Sequence, residues 1–300
     1  MKKITKFLLF MCVTMAVISF SGCFNDNETN TDEVTVIRIA QLIDDANPQS
    51  GIVFEDFRQA LEDYLGIPVE GITDTTHVVA IEAMRSGNLE IMWGSPFVYL
   101  LATGALDVER LVVTDNENAI NKGVFITAHD DIHTLADLEG RSFSFINPSS
   151  ASGFLYPAYH LINAFDLTVD ELLVSTFFSS VHYAGAQDAS VMGVIHGDFD
   201  AGIVGNLNLQ SFLASGLITP EQIRIIDATE IIPFPGYIAT KTLPEELRTR
   251  IANFMIAYDN TDYFMERFND SNTRFVHPNE AAIDHLRGMV EVLDIDLEAQ

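Results

Sequence analysis

Asn147-Pro148-Ser149-Ser150-Ala151-Ser152-Gly153 joins a strand-like run, Ser142 to Ile146, to a helix-like run that begins near Phe154. Small hydroxyl residues at a helix start make a cradle for an anion. The first turn of a helix has four backbone N–H groups without intrahelical partners, and the aligned peptide dipoles add partial positive charge there. An oxyanion can therefore be held without Lys or Arg, with serine hydroxyls as further donors. The same residues fit a plainer purpose, because Ser150 or Ser152 would cap any helix well.

Outward from this turn, strand-like and helix-like runs alternate. Val34 to Ala40 is rich in β-branched residues. Val53, Phe54, Phe57, Leu61, Tyr64 and Leu65 then recur at helical spacing until Gly66 and Pro68 stop the pattern. His77 to Arg85 reads as a helix ending near Gly87, and Glu90 to Trp93 as a strand. Gly94-Ser95-Pro96 turns into the helical run Phe97 to Thr103, a second strand-to-helix turn that carries a serine. Gly123 to Ala128 and Val174 to Phe178 read as strands, Leu135 to Gly140 as a short helical turn, and Ala189 to Ile195 as a helix closed by Gly197. Ala201 to Val204 and Ile223 to Asp227 add strands, while Pro244 to Tyr258 and Glu280 to Leu293 are helical. Repeated βα units predict an α/β fold, a parallel or mixed sheet covered by helices on both faces.

The amino terminus points outside the cytoplasm. Lys2, Lys3 and Lys6 precede an apolar run from Phe7 to Phe20, followed by Ser21-Gly22-Cys23, the layout of a secretory signal peptide over 1–22. Phe20-Ser21-Gly22-Cys23 resembles the bacterial lipobox, with Phe20 where Leu is usual. That resemblance implies a lipid on Cys23, a membrane anchor through it, and an acidic tether over 23–33. A spanning helix is the competing reading, but the run falls short of the roughly 20 apolar residues a span needs, and Thr14, Ser19 and Ser21 interrupt it. The two cysteines are Cys12, inside the signal, and Cys23, so no internal disulfide is expected. Stability must come from a core, for which 48% hydrophobic residues suffice.

The formal charge is −27, and loss of three lysines with the signal makes it more negative still. Such a chain repels phosphate backbones and has no Lys/Arg cluster to release counterions, which excludes nucleic acid as a partner. Salt screens the field beyond about 8 to 10 Å, so a local anion site can still work. A cationic ligand stays open on the same charge. His129, His133, His160, His182, His196, His277 and His285 lack metal-ligand spacing, and no metal or cofactor is expected. There is no G-x-S-x-G elbow, H-E-x-x-H, P-loop or G-x-G-x-x-G, so hydrolase, metallopeptidase and nucleotide-binding readings lack their residues and no catalytic group is assigned. A serine hydrolase built on Ser152 would need a His and an Asp from elsewhere, and any chain this size offers such a trio.

Five segments, in order, resemble the phosphonate- and phosphite-binding subunits of ABC importers. They are Ala80 to Ile91 with Trp93-Gly94-Ser95-Pro96 and Tyr99; Ile132 to Gly140; Asn147 to Pro157; Gln187-Asp188 with Gly197 to Ala201; and Ile232 to Pro235 with Leu243 to Arg248. The resemblance spans Val34 to Tyr258. It implies a two-lobed type II periplasmic binding protein with a mixed sheet in each lobe. Lobe 1 would be 34–125 plus 237–300 and lobe 2 would be 126–236, with Gly123 to Ala128 and Ile232 to Thr240 as crossover strands. The implied protein is a monomer, lipid-anchored on the extracytoplasmic face or in the periplasm. It would close on a small oxyanion and hand it to an ABC permease. The alternative is a membrane-tethered sensor of a non-phosphorus or cationic solute on the same scaffold.

Carried across, Ser149, Ser150, Ser152 and Gly153 fall on the family's anion loop and Asp188 on its acidic ligand position. A carboxylate among neutral donors accepts a P–OH proton and so selects protonated oxyanions; Asp188 equally fits a helix N-cap. Ser95 and Tyr99 lie on the first-lobe turn, where Tyr99 also fits a core role and Trp93 packs. The family's pattern is departed from at Ala151 for Thr, Gln187 for His, His77 for a site Tyr, and Asn121-Lys122 for a tyrosine pair. His77 is placed at the site or at an exposed helix start.

Overall fold

The computed structural model describes residues 34–41, 48–115, 120–279 and 281–297. The expected signal, Cys23 and tether lie outside the described residues. Two sheets organise the rest, and both follow one plan.

The first sheet runs β11-β4-β10-β3-β1-β2, from β1 (Ile37–Ala40), β2 (Val69–Ile72), β3 (Ile91–Gly94), β4 (Val108–Asp115), β10 (Gly236–Thr240) and β11 (Arg274–Val276). The second runs β7-β6-β8-β5-β9, from β5 (Gly123–Thr127), β6 (Ser142–Phe145), β7 (Ser180–Tyr183), β8 (Ala201–Gly205) and β9 (Arg224–Ala228). In each, a central strand pairs in parallel on both sides, β1 with β2 and β3, and β6 with β7 and β8. In each, one antiparallel strand is inserted next to the third: β10 beside β3, and β5 beside β8. β10 follows the second sheet in sequence yet pairs in the first. The chain therefore passes between sheets twice, after β4 and after β9.

Helices cover both faces. α1 (Pro48–Leu65), α7 (Glu245–Ala257) and α8 (Thr261–Phe268) pack with one face of the first sheet around Phe57, Tyr237 and Tyr263. α2 (His77–Arg85), α3 (Pro96–Ala105) and α9 (Ala281–Val292) cover the other. In the second sheet, α4 (Tyr156–Phe165) lies on one face, and α5 (Gln187–His196) and α6 (Asn206–Ser215) on the opposite one. One apolar core runs between the sheets. Phe97, Leu100 and Leu101 of α3 share it with Phe143, Phe145, Phe154 and Leu155, and α9 adds Leu286 and Met289. Burying large side chains of both sheets in one cluster is the main stabilising term available to the described residues, which contain no cysteine.

The expected strand at Val174 to Phe178 is absent. A π-wound turn occupies Glu171–Ser175, and β7 begins at Ser180. Val174 is 77% exposed, while Phe177 and Phe178 enter the core before pairing with β6 begins. An apolar run that anchors a loop reads locally like a strand. The short turn at Leu135–Leu138 forms as expected, capped where Thr134 and Asp137 satisfy each other. β2, β4, β11, α6 and α8 were not anticipated.

Candidate functional site

Helix N-termini gather at the carboxyl ends of the parallel strands, because each crossover helix starts where its strand stops. In both sheets the chain turns opposite ways from the central strand, so the switch points fall between β1 and β3 and between β6 and β8. Ligands of open α/β sheets bind at such points. Gln41 and Ser95 end β1 and β3; Asn147 to Ser152 and Gly205 end β6 and β8.

The serine turn is held from within. Ser150 caps the helix by accepting from the Gly153 N–H at 3.0 Å, and the first turn, Ala151–Leu155, is π-wound before it runs on into α4. Ser149 donates its hydroxyl to Asn147 Oδ1 at 2.8 Å and is spent on the loop itself. Ile146 N–H donates to the Gly153 carbonyl at 3.0 Å. A Cβ on Gly153 would lie 2.2 Å from Ile146 Cγ1, so only glycine fits. Gly123 is as constrained, since its Cβ would lie 2.6 Å from the Ser152 carbonyl.

Ser152 is different. Its hydroxyl has no partner among the described residues, it is half-buried, and Oγ lies 3.3 Å from where a Cβ on Gly205 would stand. Beside it, Gln187 Oε1 accepts from the Gly205 N–H at 2.8 Å, which leaves the Gln187 amide nitrogen as a donor. Asp188 lies in the first turn of α5, half-buried, with no partner among the described residues. The N-cap of α5 is Ala186, so capping is not the role of Asp188. Asn206 closes this rim onto the first passage: Lys122 N–H donates to Asn206 Oδ1 at 2.8 Å, and Asn206 N–H donates to the Lys122 carbonyl at 2.9 Å.

From the first sheet, Ser95 caps α3 by accepting from Val98 N–H at 3.2 Å, and its own proton stays available to a ligand. α3 packs against the π-wound turn, so elements of both sheets meet beside the serine loop. His77 opens α2 behind the Thr76 cap. Burial lowers its pKa to about 4, so the imidazole is neutral near pH 7. Tyr99, one turn after Ser95, packs against the core with the Arg110 guanidinium 5.6 Å from its ring centre. Trp93 packs edge-on against Tyr237. Gln41 is fully buried; turned to satisfy both ends of its amide, it donates to the Tyr237 hydroxyl and accepts from the Arg267 guanidinium at 2.6 to 2.7 Å.

A family model described as ABC transporter, phosphonate, periplasmic substrate-binding protein matches residues 47–282. The chain belongs to this family. Among relatives of this phosphonate-binding family, the phosphate-import protein PhnD of Mycolicibacterium smegmatis is 24% identical over 264 residues, 85% of this chain and 82% of that one. The phosphonates-binding periplasmic protein of Escherichia coli is 22% identical over 215 residues, 68% of this chain and 61% of that one. PhnD1 from Prochlorococcus marinus, solved in complex with methylphosphonate, matches with TM-score 0.73 and 18% identity, covering 87% of this chain and 98% of that one. This last likeness carries the two-lobed type II fold. The family consists of transport receptors.

Within this phosphonate-binding scaffold, the structure brings Ser150, Ser152, Gly153 and Gln187 together at the second switch point, with Asp188 in the same first turn as Gln187. Ser95 and His77 start helices on the first sheet, and Tyr99 is turned to packing. Gln41, Asn206 and Lys122 were not assigned to the site from sequence. Asn206 follows a strand at the start of a helix, a polar residue in the same local setting as the serine turn, and that pattern was legible.

Proposed function

We propose that this receptor is lipid-anchored through Cys23 on the extracytoplasmic side, works as a monomer, and delivers a phosphonate, phosphite or phosphate to an ABC permease. The observation that carries the oxyanion reading is the Ser152 hydroxyl. It is a donor without a partner among the described residues, at the switch point of the second sheet, next to the Gln187 amide and a π-wound helix start. Ser95 and Ser150 hold their N-capping bonds as acceptors and can still donate, so neutral donors from both sheets converge on an anion. Asp188 then accepts a hydrogen bond from a P–OH of the ligand or from an ammonium group carried by it. The chemistry is reversible binding.

Closure follows from the two passages between sheets. Ile232 N–H donates to the Asn121 carbonyl at 2.8 Å and Thr229 N–H to the Gly123 carbonyl at 2.9 Å, so the passages are bonded to each other and bend as one hinge. A division at residue 125 would fall inside β5, all of which pairs in the second sheet. We therefore draw it before Gly123, keeping the return near 236.

Isothermal titration of the purified protein against methylphosphonate, phosphite, phosphate and 2-aminoethylphosphonate tests the reading. Binding that weakens in Ser152→Ala supports it. Folded protein that is silent across the panel, yet binds a cationic or uncharged solute, overturns it.

A further inference from the structure

Lys122 is a cation with no counter-charge among the described residues, in a chain where acids outnumber bases 43 to 16. Arg38, Arg58, Arg85, Arg141, Lys241, Arg248 and Arg287 each pair with a carboxylate. Arg224, Arg250 and Arg274 reach backbone carbonyls, Arg110 reaches the Asn279 carbonyl, and Arg267 lies over Trp93. The Lys122 ammonium has no partner among the described residues, although its stem is half-buried.

Its position makes this costly. Both backbone groups of Lys122 are bonded to Asn206, the first residue of α6, which sets the residue beside the positive end of a ten-residue helix. A cation there is unfavourable by about as much as an anion would be favourable, on the order of 0.3 to 1 kcal/mol. Acids are abundant enough that a neutralising partner would be the ordinary solution. On the same rim, one bond away through Gly205 and Gln187, the Asp188 carboxylate also has no partner among the described residues. The two opposite charges do not pair with each other, and each is left to meet a ligand.

We propose that Lys122 is the charge-selecting residue of the cleft. It offsets the repulsion that Asp188 exerts on a doubly ionised ligand and so admits phosphonate or phosphate dianions that a carboxylate alone would reject. This rests on the oxyanion reading above. Without Lys122 the neutral serine donors and Asp188 favour the singly ionised, protonated form; with it, the second negative charge has a partner.

The test is titration of the wild type, Lys122→Gln and Lys122→Arg with methylphosphonate at about pH 5 and about pH 9, well either side of the second ionisation of a phosphoryl group. Methanesulfonate, singly charged at both, controls for titration of the protein itself. The wild type should hold methylphosphonate about equally at both pH values. Lys122→Gln should lose about tenfold or more at the higher pH and little at the lower, the size of a hydrogen bond to a charged group, and Lys122→Arg should keep the wild-type profile. A Lys122→Gln profile parallel to the wild type overturns the proposal. So does a loss that grows with pH for methanesulfonate as well. If the folded wild type binds neither anion at either pH, the oxyanion reading itself fails, and this proposal with it.

Discussion

The Ile146 N–H donates to the Gly153 carbonyl, the oxygen that a regular helix would offer to the N–H of residue 157. Residue 157 is proline and has no N–H, so the acceptor is free to tie the serine turn back to the end of β6. The missing donor in α4 thus leaves this acceptor to the turn, beside the Ser150 cap and the Ser149–Asn147 bond.

Gly153→Ala should break that tie. The new Cβ would stand 2.2 Å from Ile146 Cγ1 and 2.5 Å from Ile146 Cβ, a branched side chain at 2% exposure with nowhere to move. We expect a loss of about 1 to 3 kcal/mol in urea unfolding, together with weaker ligand binding. A variant as stable as the wild type would show that the turn is looser than this contact demands.

His77 makes acid stability readable. Burial depresses its folded pKa to about 4 from 6.5, so between those values the unfolded chain takes up a proton that the folded chain does not. Stability from this group is fully present above pH 6.5, declines as pH falls toward 4, and changes no further below. His77→Gln removes the titrating group. Its unfolding free energy should therefore fall less steeply than the wild type over that window, and parallel profiles would refute the depressed pKa.

Much of this was legible in the sequence because strand-to-helix turns announce themselves locally. Ser95 before Pro96 and Ser150 before a small-residue run are capping patterns, and each marks a strand end in the structure. The signal is weaker where tertiary pairing decides. β4 carries Glu109, Arg110 and Thr114 among its apolar residues, and it becomes a strand because β10 and β11 pair on either side of it. Val174 to Phe178 fails in the opposite sense, with the right composition but no ladder partner. The site was half legible for the same reason: serines and Asp188 lie on recognisable turns, whereas Lys122 and Asn206 meet across 84 residues of sequence.

α9 shows which contacts hold the C-terminal segment. Leu286 is fully buried in the core shared by α3 and α4, whereas the His285–Glu230 pair at 2.7 Å joins side chains that are 53% and 47% exposed. Leu286→Ala should cost about 2 to 5 kcal/mol. Glu230→Gln should change stability by less than about 0.5 kcal/mol, because exposed ion pairs gain little against solvent. Chemical denaturation of both variants decides between packing and charge as the anchor, and the reverse ranking would overturn the packing account.

The two serines of the turn should separate stability from binding. Ser150 spends its oxygen on the Gly153 N–H, so Ser150→Ala removes a cap and should cost about 1 kcal/mol of stability. Ser152 has no partner among the described residues, so Ser152→Ala should leave the unfolding midpoint within about 0.5 kcal/mol of wild type. Its affinity for the bound oxyanion should nonetheless fall about tenfold, the scale of one hydrogen bond to a charged group. Denaturation and titration of the same two preparations read both quantities. If Ser152→Ala is destabilised as much as Ser150→Ala while its affinity is intact, the hydroxyl belongs to the turn and the ligand contact must be sought on the α5 and α6 side of the rim.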